Sequence, residues 1–166
     1  MADRGFDPDR LLQVLHAHGV QFVLIGGYAA ALHGSDHLTF DVDITPSRDP
    51  VNLDRLSSAL TELGARIRVE GIEGGLPFAH DGRSLAKATV WNLVTDAGDL
   101  DLAFLPAGTE GWEDLHRSGI VVDLPGGRTE VAALADIVRS KEAADRPKDH
   151  LVLPVLRRLL RRSEGS

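Results

Sequence analysis

The sequence predicts an α/β protein with a mixed β-sheet flanked by helices, and three observations carry that prediction. Asp7-Pro8 and Asp49-Pro50 each place a capping carboxylate before a proline, the signature of a helix start, and each is followed by leucines at helical spacing. Val20 to Ile25 is a run of strand length, apolar except for Gln21 and suited to a strand buried on both faces, and Gly26-Gly27 breaks it sharply. Thr39 to Ile44 alternates Thr39, Asp41 and Asp43 with Phe40, Val42 and Ile44, so an extended strand there has one polar and one apolar face.

In chain order, Leu11, Leu12 and Leu15 form the stripe of the first helix, which Gly19 stops. After the buried strand, Tyr28 to Leu32 form a short helix ending at His33-Gly34, and the chain returns as the acidic strand. Leu53, Leu56, Leu60 and Leu63 mark the next helix, closed by Gly64. Ala65 to Glu70 reads as a strand with Arg66, Arg68 and Glu70 on a wet face, and Gly71 to Lys87, with Gly74-Gly75, Pro77 and Gly82, reads as a loop. Ala88 to Thr95 and Leu100 to Leu105 are strands joined by the hairpin turn Asp96-Ala97-Gly98-Asp99. Trp112 to Arg117 is a short helix, and Ile120 to Leu124 a strand before the turn Pro125-Gly126-Gly127. Leu134 to Ala144 and Pro147 to Leu160 are the closing helices, with Pro154 expected to kink the second.

The 166 residues and their 43% hydrophobic content suffice for one domain with a real core, over residues 1–166, on which helices at about 133–162 pack. The chain has no cysteine, which removes disulfide frameworks, thiolate zinc sites and cysteine nucleophiles. The start, Met1-Ala2-Asp3-Arg4-Gly5, is polar, and no apolar run approaches the roughly 18 residues that span a bilayer, so the expectation is a soluble cytoplasmic protein without a membrane partner. A net charge of -7 argues against general nucleic-acid binding, although Arg157, Arg158, Arg161 and Arg162 form a local basic run, as a solvated helix face also would.

Asp41 and Asp43 are about 6.6 Å apart along one strand face, where like charges repel unless a cation bridges them. A hard divalent ion such as Mg²⁺ suits carboxylate oxygens; the bland alternative is a solvated strand face. Asp101, flanked by Leu100 and Leu102, supplies a third carboxylate that a mixed sheet could set beside the first two, and three carboxylates can hold two metals for in-line phosphoryl displacement. Asp99 is the weaker choice, as a turn aspartate. Gly26-Gly27 would let a phosphate approach the backbone, while neither GxGxxG nor GxxxxGK[ST] is present. His16 and His18 point to different helix faces and make poor joint ligands, and Ser35 lacks the GxSxG elbow of an acyl-transfer nucleophile.

Taken together, these residues resemble the nucleotidyltransferase superfamily, and more narrowly the AbiEii-like and MenT-like nucleotidyltransferases of bacterial type IV toxin–antitoxin systems. The first matching block is Ile25-Gly26-Gly27, Ala30, His33-Gly34, Thr39 and Asp41-Val42-Asp43. The second is Asn92 to Thr95 with Gly98 and Leu100-Asp101-Leu102, and the third is Lys141 with Arg146-Pro147-Lys148-Asp149. The resemblance implies a minimal, polymerase-beta-like nucleotidyltransferase fold and transfer of a nucleoside monophosphate from a triphosphate such as ATP to an acceptor hydroxyl. It implies Asp41, Asp43 and Asp101 as ligands of Mg²⁺, two ions in all. Gly26, Gly27 and Thr39 would contact the triphosphate, and Lys141 with Asp149 would complete the site. It further implies an RNA acceptor, notably the tRNA 3′ end, and a cognate antitoxin protein. Relatives that modify antibiotics or proteins, and a non-catalytic nucleotide-binding module, are the alternatives. The chain departs from the family at His37, where Arg is common.

Overall fold

The computed structural model describes residues 5–165; Met1 to Arg4, within the polar start, lie outside them. Seven helices and eight strands follow one another as α1 (Pro8–Ala17), β1 (Phe22–Ile25), α2 (Gly26–Leu32), β2 (Asp41–Pro46), α3 (Pro50–Glu62), β3 (Arg66–Val69), β4 (Ile72–Leu76), α4 (Gly82–Leu85), β5 (Val90–Thr95), β6 (Gly98–Ala103), α5 (Trp112–Ser118), β7 (Ile120–Leu124), β8 (Gly127–Val131), α6 (Leu134–Ala144) and α7 (Pro147–Glu164). All eight strands join one sheet in the order β4-β3-β5-β6-β2-β1-β8-β7. The β2–β6 and β1–β8 pairs are parallel and the rest antiparallel, so the sheet is mixed, as expected.

The two Asp-Pro signatures start helices for the expected reason. The Asp7 carboxylate accepts from the Arg10 amide and that of Asp49 from the Val51 amide, satisfying backbone donors that a helix start leaves free. Their leucine stripes are buried with Val42, Ile44, Leu93, Leu100 and Leu102, all 0% exposed, in one contiguous apolar cluster. Because strand side chains alternate, burying Val42 and Ile44 on one face turns Asp41 and Asp43 to the other. Leu134, Ile137 and Val138 of α6 and Leu153 and Leu156 of α7 join the same contiguous cluster, and other residues of these two helices line a cleft together with Asp41, Asp43 and Asp101. Pro154 sits inside an unbroken α7.

Three local expectations are corrected. The segment from Gly71 to Lys87 is not all loop: it holds edge strand β4 and the single-turn α4, capped by Asp81. Gly74 and Gly75 obscured that strand, yet Gly75 is what permits it, since a Cβ there would lie 2.4 Å from the Ile67 carbonyl oxygen. After the Pro125-Gly126 turn the chain forms β8, in which the buried Thr129 and Val131 alternate with Arg128 and Glu130; five residues with two charged ones carry little strand signal. Finally, β2 begins at Asp41, so Thr39 and Phe40 precede the strand, and Phe40 is 71% exposed rather than part of the apolar face.

Candidate active site

Strands β2 and β6 run parallel with Asp43 opposite Asp101 and Asp41 opposite Asp99, so register alone brings the three predicted carboxylates to one sheet face. One carboxylate oxygen from each of Asp41, Asp43 and Asp101 lies within 4.8 Å of the others, and no second such metal-ligand cluster occurs among the described residues. Thr39 Oγ1 donates to Asp41 Oδ1 at 2.9 Å, fixing that carboxylate from outside the strand. Gly26 begins α2 at φ +73°, and a Cβ there would fall 2.2 Å from Asp43 Oδ2, so only glycine lets the β1–α2 junction close against the carboxylate. A Cβ on Gly27 would meet Thr39 Oγ1 at 3.1 Å.

The crowding has an electrostatic signature. Burial first, then the charges of Asp41 and Asp101, push the Asp43 carboxyl up to about 8, with Lys148 opposing. Burial also raises Asp101, against the attraction of Arg68. This donor set fits a hard divalent cation: all oxygens, clustered, and costly to ionise together without one. The buried Asp101 Oδ1 makes no well-formed hydrogen bond.

Facing the carboxylates across a cleft of about 500 Å³ are Lys141, Arg146 and Lys148, brought by α6 and α7. Behind them Asp149 is 0% exposed and accepts from the Arg146 amide at 3.1 Å, Nε at 2.7 Å and Nη2 at 3.1 Å, with Lys141 Nζ 3.7 Å from Oδ1. Burial would raise its pKa, but the hydrogen bonds and charge of Arg146 outweigh that and hold it below the ordinary carboxylate range. Burial in turn lowers the Lys141 pKa, with the Asp149 charge opposing. Of the residues expected to face nucleotide, Gly26, Gly27 and Thr39 line the cleft, as do Lys141 and the three metal-ligand aspartates. Asp149 instead lies behind the wall and aims the two cations.

His37 lines the same cleft. Ser35 Oγ accepts from the His37 amide, and the His33 ring bonds the Ala132 carbonyl, so no nucleophile–base pair forms there. His16 and His18 bond Thr129 and Glu62 respectively, far apart in the chain. One neighbour of the carboxylates was not singled out from the sequence: Arg68 of β3, whose Nη2 lies 3.0 Å from Asp101 Oδ1 and whose Nε lies 3.3 Å from Asp99 Oδ2. Its alternation with Ile67 had shown only that it sits on the wet face; that this face continues into the acidic one needs the strand order β3-β5-β6-β2.

No protein-family model matches the sequence, and no curated protein does. Solved structures do resemble it. A candidate nucleotidyltransferase of Thermotoga maritima, TM1012, superposes with a TM-score of 0.51 at 18% identity, over 92% of this chain and 89% of that one. The antibiotic-resistance factor ANT(2'')-Ia, known from its solution structure, superposes with a TM-score of 0.51 at 16% identity, over 94% of this chain and 90% of that one. At these identities the likeness is one of fold. The chain therefore has the nucleotidyltransferase fold, with an open mixed sheet flanked by helices.

Proposed function

We propose that the protein is a Mg²⁺-dependent nucleotidyltransferase that moves a nucleoside monophosphate from a triphosphate to an acceptor hydroxyl. The observation that carries this is the pairing of three clustered carboxylates with a wall of Lys141, Arg146 and Lys148 across one cleft. Asp41, Asp43 and Asp101 would hold the metal, which when bound neutralises charge on the transferring phosphate. Gly26, Gly27 and Thr39 form the floor against which the triphosphate lies, and the basic wall receives its β and γ phosphates. The acceptor oxygen bonds to the α-phosphorus as the bond to the bridging oxygen breaks. Pyrophosphate leaves toward the wall, and the hydroxyl proton passes to Asp101, the carboxylate that a separate strand contributes.

For the acceptor we take RNA, in the first place the tRNA 3′ end, with the protein acting as a toxin restrained by an antitoxin. Support comes from the sequence resemblance and from exposed basic residues continuing from Lys148 along α7. Arg139 does not belong to that path, since Asp114 and Asp136 engage it at 3.1 and 3.2 Å, and Arg157 lies 3.6 Å from Glu142. The fold shared with an antibiotic-resistance factor favours a second reading, a small-molecule acceptor. No helix among the described residues is long and apolar enough to cross a membrane.

Incubation with each labelled triphosphate, Mg²⁺ and either total RNA, protein or small-molecule antibiotics separates these readings. Label is expected in RNA and absent with Asp43→Ala. Replacing Arg157, Arg158, Arg161 and Arg162 by Ser is expected to weaken RNA labelling and flatten its salt dependence without changing triphosphate binding. Label only in the small molecule would move the protein to the second reading, whereas triphosphate binding without transfer to any acceptor would make it a non-catalytic nucleotide-binding module. Induced expression should slow bacterial growth in the wild type and not in Asp41→Ala; equal growth of both removes the toxin assignment.

A further inference from the structure

We infer that Arg68 is a positioning residue of the metal centre, clamping Asp101 by one oxygen so that the other is presented to Asp41 and Asp43. The inference deepens the proposed reaction, on which its kinetic arm rests. Ile67 pairs with Leu93, and Leu93 with Leu100, so these residues share the core face and Arg68 falls on the opposite one, with Asp99, Asp101, Asp41 and Asp43. Its guanidinium is hydrogen-bonded once and ion-paired twice: Nη2 donates to the Leu93 carbonyl at 2.9 Å and lies 3.0 Å from Asp101 Oδ1, while Nε lies 3.3 Å from Asp99 Oδ2, the two carboxylate contacts being electrostatic rather than well-formed hydrogen bonds.

An ion pair in open water contributes little, but Asp101 is only 16% exposed and shares its face with two more carboxylates. Arg68 does not line the cleft, whereas Lys148 does, and Lys148 acts on Asp43. The carboxylates thus stand between a cationic wall that lines the cleft and can meet a triphosphate and a cation outside it that cannot. Two consequences follow for a bound metal. Arg68 withholds Asp101 Oδ1 from it, and its positive charge opposes the metal's own. Both weaken metal binding while fixing the angle at which Asp101 meets the reacting atoms. Arg68 has the planar fork this requires; a lysine ammonium cannot span Asp99, Asp101 and the Leu93 carbonyl together.

The test is Mn²⁺ binding by electron paramagnetic resonance, without nucleotide, alongside steady-state kinetics, in wild type, Arg68→Gln, Arg68→Lys and Asp99→Asn. Arg68→Gln is expected to bind Mn²⁺ about threefold or more tighter, while kcat falls about ten- to a hundredfold and KM for the triphosphate holds. Arg68→Lys should not restore kcat. Asp99→Asn removes the outer anchor together with a negative charge that offsets Arg68, so it should lower kcat by less and loosen Mn²⁺ binding, and its kcat decides the matter should Arg68→Gln not fold. Weaker or unchanged Mn²⁺ binding in folded Arg68→Gln, an unchanged kcat in Arg68→Gln or, should that not fold, in Asp99→Asn, or full rescue by lysine would each overturn the assignment. If the wild type transfers nothing, the proposed reaction fails, and the Mn²⁺ arm still decides what Arg68 does.

Discussion

Replacing Asp43 by Asn tests whether the carboxylates are crowded. In the native protein the Asp43 carboxyl sits at about 8 against an ordinary value of 3.8, because burial and two neighbouring carboxylates oppose its ionisation. A group raised in the folded state contributes stability below its unfolded pKa and loses it as pH climbs through the folded one. The loss here therefore develops between about 4 and 8. At about 1.4 kcal/mol per unit, the metal-free protein is less stable at neutral pH than in mild acid by about 4 kcal/mol from this group, an upper bound since the three carboxylates share the effect. Asn keeps the shape and removes the charge. In a chain of this length about 4 kcal/mol corresponds to roughly 10 °C in Tm. Thermal denaturation in chelator should show Asp43→Asn melting higher than wild type at about pH 8, with the two converging near the ordinary carboxylate pKa. Millimolar Mg²⁺ should raise the wild-type Tm and leave the variant nearly unchanged. Equal melting temperatures across the whole pH range would refute the crowding and, with it, the reason for a bound cation.

Gly26→Ala should lose both stability and transfer, by about 1–3 kcal/mol from the positive φ alone and further from the 2.2 Å approach to Asp43 Oδ2; denaturant titration and single-turnover kinetics read the two effects. Gly27→Ala, with its nearest contact at 3.1 Å, should be milder, and an order reversed between them would count against the junction's role. Asp149→Asn removes a buried carboxylate that accepts three hydrogen bonds from the half-exposed Arg146 and should cost about 1–3 kcal/mol, while releasing Lys141 and Arg146 and so raising KM for the triphosphate. Because the Asp149 pKa is lowered, its contribution is present above the ordinary carboxylate pKa and lost as pH falls below it, the opposite slope to Asp43.

What the sequence made legible was whatever a local pattern encodes. Asp-Pro caps, leucine stripes and strand alternation located α1, α3, β2 and β6, and the same alternation chose the face of Asp41, Asp43 and Asp101. Elements whose reason is tertiary were not legible. β4 exists because Gly75 can pass close to the Ile67 carbonyl, and β8 because it lies between β1 and β7. The site divides in the same way. Its carboxylates sit in one motif and its echo, whereas Arg68 reaches them only through the order in which four strands are laid side by side. Asp149 looked like a site residue, yet its depth behind the cleft wall depends on how α7 docks.

That docking also sets an order in time. The strands bearing Asp41, Asp43 and Asp101 are synthesised before α6 and α7. A nascent chain that has paired β2 with β6 has its acidic wall exposed to water, without Lys141, Arg146 and Lys148 facing it. The cleft is assembled only when α6 and α7 dock through their own Leu134, Ile137, Leu153 and Leu156. In the proposed reaction, a triphosphate therefore finds its site only after both helices have been made and have docked.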